Sequence, residues 1–416
     1  MQWSRQLAAR NLVRAITEGF SGIQRTLWVR QALAGSPAHH SQDSPSKAAL
    51  GGCLGGCVAE LQHDERSPVL ETALIQPGID ASEQMESMLA SDLHAIIWRH
   101  APHDSDGADL RDYVLGAARS VRSNLYSALV QLASYREARY KLDNALILAL
   151  PRTGSIPRGP HIDELGARLN AHQQALFTAL GAALDCTAAV CVAVSGLKMN
   201  VRRAQMPALL PTSDDADFPT EGRSQSLKRA MRSAPERVAE LQHQILRGIR
   251  GSYMSAGPPG WLRWMLDARN TAVHREQSAS YVFFEGDKKT GLTVYRNLQR
   301  HPQMSNLQSV RSADSPAAML LEEDAMVTMR ECVRSTGLVV NGVGAVIETE
   351  WAKRRIALDI RVPISEQWDA ADPSTFDGFK PGSAKFVPKP GTVLLMNPRD
   401  SARLAAGGAL DSSEKR

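Results

Sequence analysis

The run ALFTALGAALDCTAAVCVAVSGL, residues 175 to 197, is apolar over a length that could cross a bilayer, so its surroundings constrain everything else in the chain. One charge, Asp185, sits at its middle. Ala and Gly outnumber Leu and Ile, and neither end carries the aromatic residues that anchor a helix at lipid headgroups. A carboxylate at that depth is costly in lipid. The run therefore reads as the central helix of a bundle, and no membrane association is expected.

The flanking sequence supports a mainly α fold, a bundle of long helices. Aromatics make up only 5% of the 416 residues while small apolar residues abound, which suits close-packed helices better than sandwiches or barrels. Leu110, Val114, Val121, Leu125, Leu129 and Leu132 recur at helical spacing, in a run that Pro151 stops. Leu165, Leu169, Leu176, Leu180 and Leu184 mark the next long helix. Ser233 to Glu236 fits a capping box with Pro235 in its first turn, opening a helix whose buried stripe is Val238, Leu241, Ile245 and Ile249. SAGPPG breaks it, and Trp261, Met265, Ala268 and Ala272 form the stripe of a short helix. YVFFEGDKKTGLTVYR reads as a small β-hairpin insertion, and Ser315-Pro316 as the start of a last long helix through Met326, Met329, Val333, Val340, Ile347 and Trp351.

The ends differ in character. Residues 1–34 carry Arg5, Arg10, Arg14, Arg25 and Arg30 against one acid, Glu18, and a polar Gly/Ser/Pro-rich stretch follows. Residues 1–80 are thus expected to be a flexible or poorly ordered segment, 82–352 the bundle, and 353–416 a partly irregular extension with short strands. The five Cys are scattered, which gives neither a disulfide framework nor a paired zinc site and suits a reducing cytoplasm. His100, His103 and Asp104 could ligate a metal, but nothing else completes the set; no metal or other cofactor is expected. A net charge of +4 permits a polyanionic partner without arguing for one.

One pattern carries chemistry. LDARNTAVHRE, residues 266 to 276, holds Arg269, Asn270 and His274, and YRNLQRHP repeats Arg-Asn-x-x-x-His as Arg296, Asn297 and His301. An Arg followed by a His at this distance is cheap by chance, as Arg237 and His243 illustrate on a solvated face; Asn directly after the Arg is not. The second copy ends a strand and runs into Pro302, with nothing regular to hold its side chains. The first sits on a helix anchored by Trp261, Trp264 and Met265. Rigid placement favours the first copy.

Metal-free RNA cleavage needs a base for the 2′-hydroxyl proton and a fixed cation for the charge that builds on the phosphate. His274 has the right ordinary pKa for the base and Arg269 the permanent planar charge for the cation. Asn270, one turn before His274, can orient the ring or bind substrate. Arg269 and His274 lie five residues apart, roughly 140° around a helix, and cannot share one face.

Long helices, then a short helix bearing RNTAVH, then one more long helix resemble the HEPN superfamily (higher eukaryotes and prokaryotes nucleotide-binding) over roughly residues 105 to 350. Its ribonuclease members carry Arg, a polar residue, three to five further residues and His. The resemblance implies a metal-independent endoribonuclease with Arg269, Asn270 and His274 as its catalytic residues and RNA as its substrate. It also implies a homodimer that makes the site composite across a two-fold axis, and a toxin or phage-defence role with an antitoxin or defence partner. The competing readings are a HEPN-like bundle that binds nucleotide, RNA or protein without cutting, a solvated helix end whose dipole favours the cation, and a membrane-associated helical protein using residues 175–197 or the basic N-terminus.

Overall fold

The computed structural model describes residues 68–91, 104–153, 157–213, 218–232, 234–274, 280–287, 291–302 and 319–355. These form helices α1 (Pro68–Ser91), α2 (Asp104–Thr153), α3 (Pro160–Ser195), the short α4 (Met206–Leu209) and α5 (Gln225–Ala230), α6 (Glu236–Ala256), α7 (Trp261–His274) and α8 (Ala325–Arg354). A small sheet of β1 (Ser280–Asp287), β2 (Gly291–Arg300) and β3 (Leu320–Asp324) completes the fold. The expected mainly helical bundle is thus present. Residues 1–67 and 356–416, with Cys53, Cys57, His100, His103 and the C-terminal extension, lie outside the described residues.

The apolar run is the axis of the fold. Helix α3 packs along α2 for most of its length and also meets α6, α7 and α8. Every residue from Thr187 to Leu197 is buried. It is the one described helix long and apolar enough to cross a membrane, and 78% of its most apolar window is covered by its own neighbours. Pro160 opens it, pre-set for the first helical turn, and Gly196 ends it at φ 64°, a left-handed cap that a side chain would strain. The Leu positions expected to be buried on α2 and α3 are buried.

Helix α8 crosses α1 so closely that backbones touch. A Cβ on Gly78 would stand 2.9 Å from the Gly337 carbonyl oxygen, and one on Gly337 would stand 3.2 Å from the Ile75 Cα. Ion pairs flank the neighbouring α1–α2 seam, Arg119 to Glu86 at 2.7 Å and Arg122 to Glu83 at 2.5 Å. The bundle consequently begins before the expected boundary at residue 82. Pro77 and Gly78 resemble a break, but α1 continues through them because burial of Ile75 and Ile79 outweighs one lost backbone hydrogen bond.

Two expected helix starts move. Helix α6 begins at Glu236 with Pro235 at its N-cap and no side-chain cap bond, and Ser233 lies outside the described residues. Helix α8 begins at Ala325 and not at Ser315-Pro316. Leu320 to Asp324 first adds a third strand to the hairpin, antiparallel to β2, and Asp324 then caps α8 by accepting from the Met326 N–H at 2.8 Å. That strand was not expected from the sequence, since LLEED has no clean alternation.

The sheet rests on a polar seat. Arg139 of α2 donates Nε to Asp143 at 2.6 Å and places Nη2 3.6 Å from Asp324, which also accepts the Asn297 backbone N–H at 2.8 Å. Tyr135, Asn297 and Gln299 are buried in the same region.

Candidate functional site

Helix α7 is built to hold its motif still. Trp261 donates its indole N–H to the Tyr253 carbonyl at 3.1 Å, Met265 is fully buried, and Trp264 meets Phe177 of α3 edge to face, ring centroids 5.6 Å apart. Arg263 donates Nη2 to the Pro211 carbonyl at 2.5 Å. Trp261, Leu262, Trp264, Met265 and Leu266 are therefore spent on the internal core.

Arg269 is the next residue along the seam between α7 and α3. Phe177, Gly181 and Asp185 repeat every four residues on one face of α3, and Arg269 lies over Gly181 to reach Asp185. Its Nη1 donates to Asp185 Oδ2 at 2.8 Å, while Asp185 Oδ1 accepts the Met206 backbone N–H at 2.9 Å. The two side chains are 22% and 19% exposed, so the pair is screened by little water yet not sealed from it. A Cβ at position 181 would stand 2.4 Å from Arg269 Cδ, which makes the glycine a groove for the arginine stem. The lone charge that singled out the apolar run is the anchor of the motif arginine.

Asn270 is exposed on the solvent side of α7. Helix α7 extends to His274, so the backbone is helical through the whole motif; the His274 side chain lies outside the described residues. A five-residue separation on this regular helix keeps Arg269 and His274 roughly 140° apart.

The second copy is placed otherwise than its sequence implied. Arg296 and Asn297 belong to β2, paired in register with Phe283 and Val282, not to a loose strand end. Asn297 is buried in the polar seat, and His301 follows the strand with its backbone N–H bonded to the Met319 carbonyl at 2.9 Å. Burial pushes the His301 imidazole below its ordinary pKa. The third strand supplies this order, and it was invisible in the sequence.

Asp185 also lines a cleft of about 490 Å³ between α2, α3 and the 3-10 turn Val201–Arg203, shared with Arg119, Tyr113, Cys186 and the two turn arginines. The turn is fixed by Asn200, whose side chain accepts from the Arg202 N–H at 2.8 Å, and the Tyr113 hydroxyl donates to the Arg202 carbonyl at 3.5 Å. Burial, reinforced by Asp185, pushes the Cys186 thiol up to about 11. Sequence reading missed this cleft, although a lone carboxylate inside an apolar helix was the signal that a cation had to meet it. Among the described residues, no three His, Cys, Asp or Glu side chains gather as a metal site.

No family model matches the chain, and no curated protein or solved structure is significantly similar to it.

Proposed function

We propose that this chain is a metal-independent endoribonuclease of the HEPN type, acting in the cytoplasm on RNA, with Arg269, Asn270 and His274 as its catalytic residues. The observation that carries the reading is the Arg269–Asp185 pair. It fixes one edge of the guanidinium at Nη1 and leaves Nε and Nη2 without a partner among the described residues. A phosphate can take those donors without any reorganisation of the arginine, which is the condition for stabilising charge that appears only in the transition state.

In this reading His274 removes the 2′-hydroxyl proton and O2′ attacks the adjacent phosphorus. The bond to the 5′-oxygen of the next nucleoside breaks, leaving a 2′,3′-cyclic phosphate and a 5′-hydroxyl. The charge on the phosphoryl oxygens falls to Arg269. Because positions 269 and 274 stand roughly 140° apart around α7, a second protomer completes the site across a two-fold axis. Trp261, Trp264 and Met265 are taken up inside, so such a dimer meets through the polar outer side of α7, around Asp267 and Asn270. A toxin or phage-defence role, with an antitoxin or defence partner, follows from the family resemblance.

The test is incubation of the full chain with labelled single-stranded and hairpin RNA in EDTA. Cyclic-phosphate ends are expected, with most activity lost in His274→Ala and Arg269→Ala and little in Arg296→Ala and His301→Ala. Loss of activity in EDTA, products with 3′-hydroxyl ends, or equal losses at both motif copies would overturn it.

A second reading, an RNA- or nucleotide-binding bundle that does not cut, is favoured by one fact: Asp185 already neutralises Arg269. It expects retarded RNA with no new ends, and equal retardation by wild type and His274→Ala.

A further inference from the structure

The cleft beside Asp185 has a charge balance unlike that of an incidental groove. Two carboxylates, Asp112 and Asp185, line it together with three guanidiniums, those of Arg119, Arg202 and Arg203. Of the carboxylates, Asp185 already holds Arg269 and the Met206 N–H. Of the three guanidiniums on its walls, Arg119 uses Nε on Glu86 and Arg203 has no side-chain partner among the described residues. By lining residues alone, three guanidiniums face two carboxylates across a walled space.

The walls are firm. Helices α2 and α3 pack along each other beneath the cleft, and the Asn200 side chain fixes the turn that presents Arg202 and Arg203. From Asp112 to Arg119 the cleft runs two turns along α2, roughly 10 Å, and its volume of about 490 Å³ lies in the range of small-molecule sites. Tyr113 adds an aromatic wall next to the arginines.

We propose that this cleft binds a phosphate-bearing ligand, with Arg202 and Arg203 on the phosphate and Tyr113 against the attached organic group. Planar guanidiniums paired on a short turn suit a phosphate better than a lone carboxylate, because they can meet several of its oxygens together. The same chemistry is offered by a free phosphorylated small molecule and by the backbone of an RNA strand. The assignment rests on the cleft alone and does not require cleavage at α7.

Cys186 reports on occupancy, because it lines the cleft half-buried while Cys191 and Cys332 are buried. The experiment alkylates the full chain with iodoacetamide at about pH 9, where a thiol with a raised pKa still reacts slowly, and follows the Cys186 peptide by mass spectrometry. The probes are inorganic phosphate, adenosine 5′-monophosphate and a 2′-O-methyl RNA trinucleotide, which cannot be cut by 2′-hydroxyl attack. At least one probe is expected to slow alkylation at least about fivefold in wild type. Arg202→Ala/Arg203→Ala should abolish that protection and Arg202→Lys/Arg203→Lys should retain part of it. Protection by phosphate or the mononucleotide identifies a small-molecule ligand, whereas protection by the trinucleotide alone identifies an RNA strand. If no probe protects Cys186, or if the double alanine variant is protected as well as wild type, the site does not exist.

Discussion

Gly181 and Arg269 occupy one space: the arginine stem runs where a side chain on residue 181 would stand, 2.4 Å from an added Cβ. In an ordinary helix interior, Gly to Ala gains about 1 kcal/mol. Here Gly181→Ala should instead cost about 1–2 kcal/mol, because the arginine must leave its groove and break with Asp185. In an Arg269→Ala background the same change should become neutral or stabilising. A double-mutant cycle by urea denaturation measures the difference, and an identical effect in both backgrounds would show that the two residues do not compete.

Asp185→Asn separates the two uses of that carboxylate. The amide oxygen can still accept the Met206 N–H, but the charge that meets Arg269 is gone. The pair is neither sealed nor fully exposed, so a loss of about 1–2 kcal/mol is expected, between surface and buried ion pairs. If Arg269 serves RNA, its freed charge should lower KM while its lost orientation lowers kcat. A fall in kcat with KM unchanged or raised would place Asp185 outside substrate binding.

Much of the bundle was legible because periodicity reports burial directly. The stripes on α2, α3 and α6 follow from Leu, Val and Ile spacing, and their burial is what holds those helices together. Helix α1 was half-missed since Pro77-Gly78 signals a break locally, while the reason for the glycine is a backbone contact with Gly337, far away in sequence. The third strand was missed for a similar reason: Leu320 to Asp324 is a strand because β2 offers it an edge. At the site, the motif residues were legible by type and spacing, but the partner of Arg269 was not. Asp185 stood out as a charge in an apolar run, and only the crossing of α3 and α7 pairs the two.

The contact between α1 and α8 yields a sharp contrast among glycines. Gly78→Ala should destabilise by about 2 kcal/mol or more, since its Cβ would press on the Gly337 backbone, which cannot yield as a side chain can. Gly116 of α2 has nothing within 4 Å of an added Cβ, so Gly116→Ala should gain up to about 1 kcal/mol from helix propensity. Denaturation midpoints of the two variants test this, and a loss in both would mean that helix crossing does not set the cost.

The polar seat beneath the sheet makes stability depend on pH through Asp143. Burial pushes this carboxyl up to about 6, against the opposing pull of Arg139, and Asp324 adds to the rise. Arg139, Tyr135 and Asp324 are the charged and titratable groups facing it. Because the folded protein holds this proton more tightly than the unfolded chain, protonated Asp143 favours folding. Its contribution is complete below about pH 4 and is lost as pH rises through about 6, amounting to about 1–3 kcal/mol. Asp143→Asn stays neutral throughout and cannot lose it. Urea denaturation of both proteins at pH 4.5 and 7.5 isolates the effect, since the other carboxylates largely cancel in the difference. The variant should gain on wild type by about 1–3 kcal/mol between the two pH values. An unchanged difference would mean that Asp143 titrates as an ordinary carboxylate and that Arg139 fully offsets its burial.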